Sequence, residues 1–419
     1  MLRISGPEAG PAASLLAGSL PPPRLAQRRR LIDPESGEQL DDCLVLWFPG
    51  PKSSTGEDVA ELHLHGSRAV LAAVMEALSR RGLRLAEPGE FTRRAFFNGK
   101  LDLLQAEAIA DLAAAETEAQ RRQALRQLDG ELGGLYYGWR DRLTRILAHL
   151  EAAIDFPDED LPPEIEASVL DESTDLVAAI ERHLADGRRG ERLRDGIMVA
   201  IVGPPNAGKS SFLNKIARRE VAITTPIAGT TRDVIEVAID LKGYPVVLAD
   251  TAGLRDSADL IEQEGLRRAL QRAEEAEIRL FVFEAGRPAD ARHASAWRGP
   301  DTLLIANKID IVAAPGRDLP SGAFPISALT GEGVDALLTA LGERVAQSYR
   351  SEAPVLTRAR HRQTLEEAAS ALRRSLAAPL PELRAEDLRL ALRSLGRITG
   401  AVDVEDLLDV IFRDFCIGK

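Results

Sequence analysis

Cysteine, net positive charge and long apolar runs are what this sequence lacks. Two cysteines, Cys43 and Cys416, cannot build a disulfide framework, and no apolar stretch is long enough to span a bilayer. The opening MLRISGPEAG has neither the basic nor the apolar region of a signal peptide, so a soluble, cytoplasmic protein is expected. Lysine and arginine total 53 against 65 acids, a net charge of −12 that excludes a basic nucleic-acid coat. Any RNA contact must be local or shared with a partner. The 419 residues suffice for about three domains of roughly 150 residues each.

What is present is organised around Ile197 to Ser211, IMVAIVGPPNAGKSS. An apolar, β-branched run meets a loop, Gly203 to Ser210, with the spacing G-x-x-x-x-G-K-[ST], and a helical pattern follows from Phe212 to Ile216. Glycines let backbone N–H groups turn in on phosphate oxygens, and the next helix adds the positive end of its dipole. Lys209 would bridge the outer phosphates and the Ser210 hydroxyl can ligate Mg²⁺.

The later segments of a guanine-nucleotide switch follow in order. Gly229 to Asp233 (GTTRD) precedes an expected strand from Val234 to Leu241, and a threonine there can ligate Mg²⁺ while its backbone senses the γ-phosphate. Val246 to Ala249 leads into Asp250-Thr251-Ala252-Gly253, where Asp250 would hold Mg²⁺ through water and the Gly253 N–H would approach the γ-phosphate. A strand from Leu303 to Ala306 ends in Asn307-Lys308-Ile309-Asp310. Asp310 can accept from the guanine N1–H and exocyclic amine, a pattern adenine does not offer, and Ser327-Ala328-Leu329 is placed to close over the base. GTP is therefore expected rather than ATP.

Leu254 stands where Ras-like enzymes carry a water-orienting glutamine, and no arginine finger in cis is visible. Asn206 either joins the carbonyls of Thr225 and Ile227 around a monovalent cation, supplying the missing charge, or is chosen for turn geometry.

The flanks differ from this centre. Cys43 to Phe48 and Val59 to Leu64 read as strands and Ala69 to Arg81 as a helix, so the first hundred residues are mixed α/β. His63 and His65 would share a strand face, but no third ligand stands at metal spacing, so packing or hydrogen bonding is expected. Arg28 to Arg30 read as a solvated strand end. Glu87 to Leu103 (EPGEFTRRAFFNGKLDL) delivers Arg93, Arg94 and Lys100 close together, as an anion site or a polar joint. From Asp102 the pattern is helical, with Leu143, Ile146, Leu147 and Leu150 at i, i+3, i+4, i+7. The acidic, proline-rich Asp155 to Glu164 interrupts it, and Gly187 to Gly196 reads as a hinge. Helical spacing returns at Leu365, Ala368, Ala369 and Leu372, and again at Val404, Leu407, Leu408 and Ile411. Helices on both sides of an α/β GTPase suggest an insertion.

GPPNAGKSSFLN, TTPIAGTTRD, DTAGLR, NKID, PGEFTRRAFFNGKLDL and the terminal FCIGK together resemble the MnmE (TrmE) family of tRNA modification GTPases, over nearly the whole chain. The resemblance implies a multidomain fold. An α/β folate-binding and dimerisation domain is expected at 1–98, the two parts of an all-α helical domain at 99–195 and 349–419, and an inserted α/β P-loop (Ras-like) GTPase domain at 196–348. It further implies a potassium-activated GTPase that works as a homodimer, without a membrane, in a heterotetramer with the flavoprotein MnmG (GidA), which carries FAD and uses NADH. The complex would place an aminomethyl or carboxymethylaminomethyl group on C5 of a tRNA wobble uridine, with the carbon from 5-formyl- or 5,10-methylene-tetrahydrofolate.

By the same match, GTP would be held by Asn206, Ala207, Gly208, Lys209, Ser210, Ser211, by Thr225, Pro226, Ile227, Ala228, Gly229, Thr230, Thr231, by Asp250 to Gly253, and by Asn307, Lys308, Asp310, Ser327, Ala328 and Leu329. Mg²⁺ falls to Ser210 and Thr231, and K⁺ to Asn206, Thr225, Ile227 and Thr230. Glu262 would orient the attacking water, and Cys416 is a candidate for the modification chemistry. Folate falls to Arg3, Glu61, Lys100 and Lys419. Relatives carry a further strand and a Pro-Gly-rich turn before the position of Arg3, so either the sequence starts late or the folate pocket and dimer contact are weakened. A ribosome-assembly switch would be expected to carry a KH module, whose GxxG helix–loop–helix is not found. A scaffold without turnover would not need Lys209, Thr231, Asp250 and Glu262.

Overall fold

The computed structural model describes residues 1–155, 163–219, 222–223, 236–250, 276–287, 299–312, 319–349, 354–402 and 411. The chain divides into two compact units, one of residues 1–110, 127–176 and 367–419, the other of 111–126 and 177–366.

The first unit opens with an antiparallel sheet of β1 (Leu2–Ser5), β2 (Gln27–Ile32), β3 (Gln39–Phe48) and β4 (Val59–His63), in the order β1-β4-β3-β2. Alternation along β3 sends Cys43 and Val45 inward and leaves Leu44 45% exposed on the opposite face, so one face only is fully buried. Helices α1 (Ala9–Ala17) and α2 (Arg68–Ser79) cover that face, closing a core of Ile4, Leu16, Leu31, Leu62 and Val74. Burial pushes the Cys43 thiol up to about 11, as befits a core residue.

Helices follow in chain order: α3 (Glu90–Phe97), α4 (Leu103–Ala114), α5 (Glu118–Leu128), α6 (Glu131–Asp155), α7 (Pro163–Leu184) and α8 (Arg189–Asp195). The spacing read for α6 holds, with Leu143, Ile146, Leu147 and Leu150 all buried.

The second unit contains a six-stranded sheet of β5 (Ile197–Val202), β6 (Glu236–Leu241), β7 (Tyr244–Asp250), β8 (Ile278–Glu284), β9 (Thr302–Asn307) and β10 (Phe324–Pro325), ordered β10-β9-β8-β5-β7-β6. Only β6 runs antiparallel to its neighbour. Its strands are apolar on both faces because both are covered, with Val199 and Ile201 in one core and Ala200 and Phe281 in the other. Helices α9 (Lys209–Ala217) and α10 (Val334–Ser348) pack on the first of these faces. β5 lies between β7 and β8, so the chain leaves its carboxyl end at the point where strand order reverses, the place where such sheets bind ligands. Later in the chain α11 (Ala359–Ala377) buries Leu365, Ala368, Ala369 and Leu372, and within the first unit α12 (Pro381–Thr399) packs along α6 with Arg389 paired to Glu151 at 2.8 Å.

Several local expectations change. Gly187 to Gly196 is not a hinge but largely α8, because its arginines find acids remote in sequence: Arg194 meets Asp111 at 3.0 Å, while Glu191 and Asp186 both hold Arg362, at 2.8 and 2.6 Å. Arg28 to Arg30 lie within β2 rather than at its end, with Arg28 paired to Asp42 at 2.7 Å. β4 stops at His63, so His65 does not share its face; the His65 ring and N–H both bond Asp41. Arg94, by contrast, agrees with the polar-joint alternative, pairing with Glu57 at 2.8 Å and Glu90 at 2.6 Å.

Candidate functional site

The loop after β5 is shaped by glycines with little alternative. Gly203 has φ +142° and a Cβ there would run into the Val282 carbonyl; Gly208 has φ +92° and its Cβ would strike Asn307 Nδ2. Between them Asn206 takes φ +61°, a left-handed conformation that asparagine tolerates, and its side chain is exposed, so the turn suits this residue and leaves the carboxamide open to a ligand. Lys209, 6% exposed, donates to the carbonyls of Gly203 and Pro204, each at 2.8 Å. Burial pushes its ammonium below the usual lysine range while the Asp250 carboxylate opposes the shift. Negative charge arriving beside Nζ acts in the same direction as Asp250.

Ser210 Oγ, in the first turn of α9, donates to Asp250 Oδ2 at 2.6 Å. This pair puts a hydroxyl and a carboxylate oxygen at the end of β7 beside the loop, a donor set suited to a hard divalent cation such as Mg²⁺. Across the loop, Asn307 donates from Nδ2 to the Ala207 carbonyl at 2.8 Å and accepts from the Ala328 N–H at 2.9 Å. Ser327 Oγ donates to Asp310 Oδ1 at 2.6 Å, and Leu329 is 79% exposed. One carboxamide, at the end of β9 just before the turn that carries Asp310, thus ties the loop after β5 to the Ser327-Ala328 turn.

Thr225 to Thr231, Thr251, Ala252, Gly253, Glu262, Cys416 and Lys419 lie outside the described residues. Of the expected folate set, Arg3 and Glu61 face each other across β1 and β4 and pair at 2.8 Å, with the Arg3 guanidinium 5.6 Å from the Phe91 ring centre. Lys100 lines a separate cavity with Asp102 and Tyr137, whose described lining includes neither Arg3 nor Glu61.

Glu284 was not legible in the sequence. It ends β8 opposite Asn307 and binds Lys308 at 2.7 Å, which holds its carboxyl below the usual range. Lys308 sits at φ +65°, so its backbone is strained and its side chain is fixed by this one carboxylate together with the turn. Glu284→Gln is expected to weaken GDP binding about three- to tenfold, as measured by fluorescence titration, with the turnover number unchanged.

Residues 1–100 match the family model described as GTP-binding protein TrmE N-terminus, and 103–416 match that of the MnmE helical domain. The chain is 57% identical to the tRNA modification GTPase MnmE of Rhodospirillum rubrum over 436 residues, covering 100% of this chain and 96% of that protein. The proteins of the same name from Parvibaculum lavamentivorans and Paramagnetospirillum magneticum are likewise 57% identical, over 426 and 422 residues, with 100% of this chain and 96% of each covered.

Proposed function

The chain belongs to the MnmE (TrmE) family of tRNA modification GTPases, and from that membership we propose that it hydrolyses GTP at the loop after β5 to drive modification of a tRNA wobble uridine. The observation that carries this reading is the meeting of Lys209, Ser210 and Asp250 with Asn307 and Asp310 at the carboxyl end of one sheet. Phosphates need the cation and the turned backbone; guanine needs the Asp310 carboxylate.

Bound Mg²⁺ neutralises charge on the phosphates, and Ser210, with Thr231, would hold it, Asp250 acting through water. A potassium ion held by Asn206, Thr225, Ile227 and Thr230 would stand in for an arginine finger, and Glu262 would orient the water. Folate would meet the Arg3–Glu61 pair, whose carboxylate suits a pterin's donor edge, with Lys100 and Lys419 as cations. The domain limits given above, a homodimer, the MnmG partner and a role for Cys416 complete the proposal.

Reconstitution tests it. Purified chain, flavoprotein partner, FAD, NADH, tetrahydrofolate donor, GTP and unmodified tRNA should yield a C5-aminomethyl or carboxymethylaminomethyl wobble uridine on nucleoside analysis. GTP turnover with no modified nucleoside would defeat the tRNA part of the reading.

A further inference from the structure

The turn placed to close over the base is held from a side that the nucleotide chemistry leaves unexplained. Ser327 and Ala328 are buried, and their turn is braced from within. The Thr330 N–H donates to Ser327 Oγ at 3.1 Å, the Gly331 N–H to the Ser327 carbonyl at 2.8 Å, and the Ser327 N–H to the Glu332 carbonyl at 3.0 Å. The outer end of the turn is different. Leu329 and Thr330 are both exposed, so apolar burial does little to fix them.

A lysine fixes them instead. Lys215 Nζ donates to the Leu329 carbonyl at 3.3 Å and to the Thr330 carbonyl at 3.2 Å, across 115 positions of sequence. Lys215 stands on α9, roughly one and a half turns beyond Ser210, and the neighbouring Phe212, Leu213 and Ile216 are buried in the sheet core. That burial makes α9 a rigid arm from which the half-buried lysine reaches out. Gly331 gives it room: at φ +95° it carries no side chain, and a Cβ there would come within 2.9 Å of Lys215 Cε. Just past the end of α9, Arg219 pairs with Asp335 in the first turn of α10, a second tie between the same two segments. The Asp335 side chain is 85% exposed, so this second tie is screened by solvent and weak.

One helix therefore serves both ends of the nucleotide site. Its first turn carries Lys209 and Ser210 beside the phosphate loop, while Lys215 holds the turn whose Ser327 Oγ donates to Asp310 at 2.6 Å. A nucleotide leaves only when the turn over its base lifts, and lifting this one breaks both charge-assisted hydrogen bonds of Lys215. We infer that Lys215 is a positioning residue for the guanine nucleotide: by tethering the Leu329 and Thr330 carbonyls to α9 it holds the base-closing turn down and sets how fast GDP leaves. It acts through the turn rather than on the nucleotide. The inference rests on the GTP-binding reading of this site given above.

Dissociation of a fluorescent GDP analogue from the full chain, followed by stopped flow after addition of excess GDP, tests it. Lys215→Met keeps an unbranched stem and a good helix former while removing the donors. It is expected to speed dissociation about five- to tenfold with association unchanged, and to raise KM for GTP by a similar factor while kcat does not fall. Lys215→Arg can still donate to both carbonyls and should bring dissociation back to within about twofold of wild type. Tripolyphosphate has the phosphates and no base, so its competition with the analogue should show the same affinity in all three proteins. Dissociation unchanged in Lys215→Met overturns the inference. So does faster dissociation that arginine does not rescue, or that comes with an equal loss of tripolyphosphate affinity, which would place the effect in the phosphate loop. A wild-type chain that retains no GDP analogue would defeat the GTP-binding reading itself, and this inference with it.

Discussion

Lys209→Ala is expected to lower kcat/KM for GTP by about a thousandfold or more, roughly 4 kcal/mol of lost transition-state stabilisation. The lysine is sequestered by its own loop through the Gly203 and Pro204 carbonyls, so its charge is aimed inward. Those carbonyls can accept from solvent or backbone once Nζ is gone, and the fold depends on Gly203, Gly208 and the Asn307 bond instead. A thermal melt close to wild type alongside lost turnover is therefore the expected pair of results. Retained turnover would move the chemistry elsewhere in the chain.

Asp310→Asn should weaken GTP binding by about a hundredfold or more and favour xanthosine triphosphate. A site built around two hydrogen bonds loses heavily when one donor faces another. Asp310 Oδ1 already accepts from Ser327, so a carboxamide oxygen can keep that bond while its NH₂ turns to the base. Guanine then presents its exocyclic amine to a second donor, whereas xanthine presents a carbonyl. Competition of the two triphosphates for the variant, read by equilibrium binding, checks the reversal. An unchanged order of affinity would remove Asp310 from base recognition.

What the sequence made legible was what lies together along the chain. The loop from Gly203 to Ser210 and the segment Asn307 to Asp310 carry their chemistry in consecutive residues, and the strands before them are apolar because both sheet faces are covered. Periodicity likewise placed the buried positions of α6 and α11.

What it hid depends on distance. No spacing announces that Gly208 must clear Asn307 almost a hundred positions later, or that Glu284 at a strand end pairs with Lys308. Gly187 to Gly196 looked like a hinge because its partners, Asp111 and Arg362, are far off in sequence. Helix α1 was not anticipated because Gly10 and Pro11 disfavour a helix. Its first turn tolerates Pro11, and Gly10 packs where a Cβ would come within 2.9 Å of the Trp47 ring. The cavity beside Lys100 is lined from α3, α4, α6 and α12 and could not be read from any one of them.

The central claim is that this loop hydrolyses GTP with a monovalent cation in place of an arginine finger. GTP turnover by the full chain in KCl, against equal ionic strength of NaCl, tests it most directly, with Asn206→Ala and Glu262→Ala alongside. The account predicts strong stimulation by potassium, lost in Asn206→Ala, and no turnover in Glu262→Ala. Equal rates in the two salts, unaffected by Asn206→Ala, would contradict it.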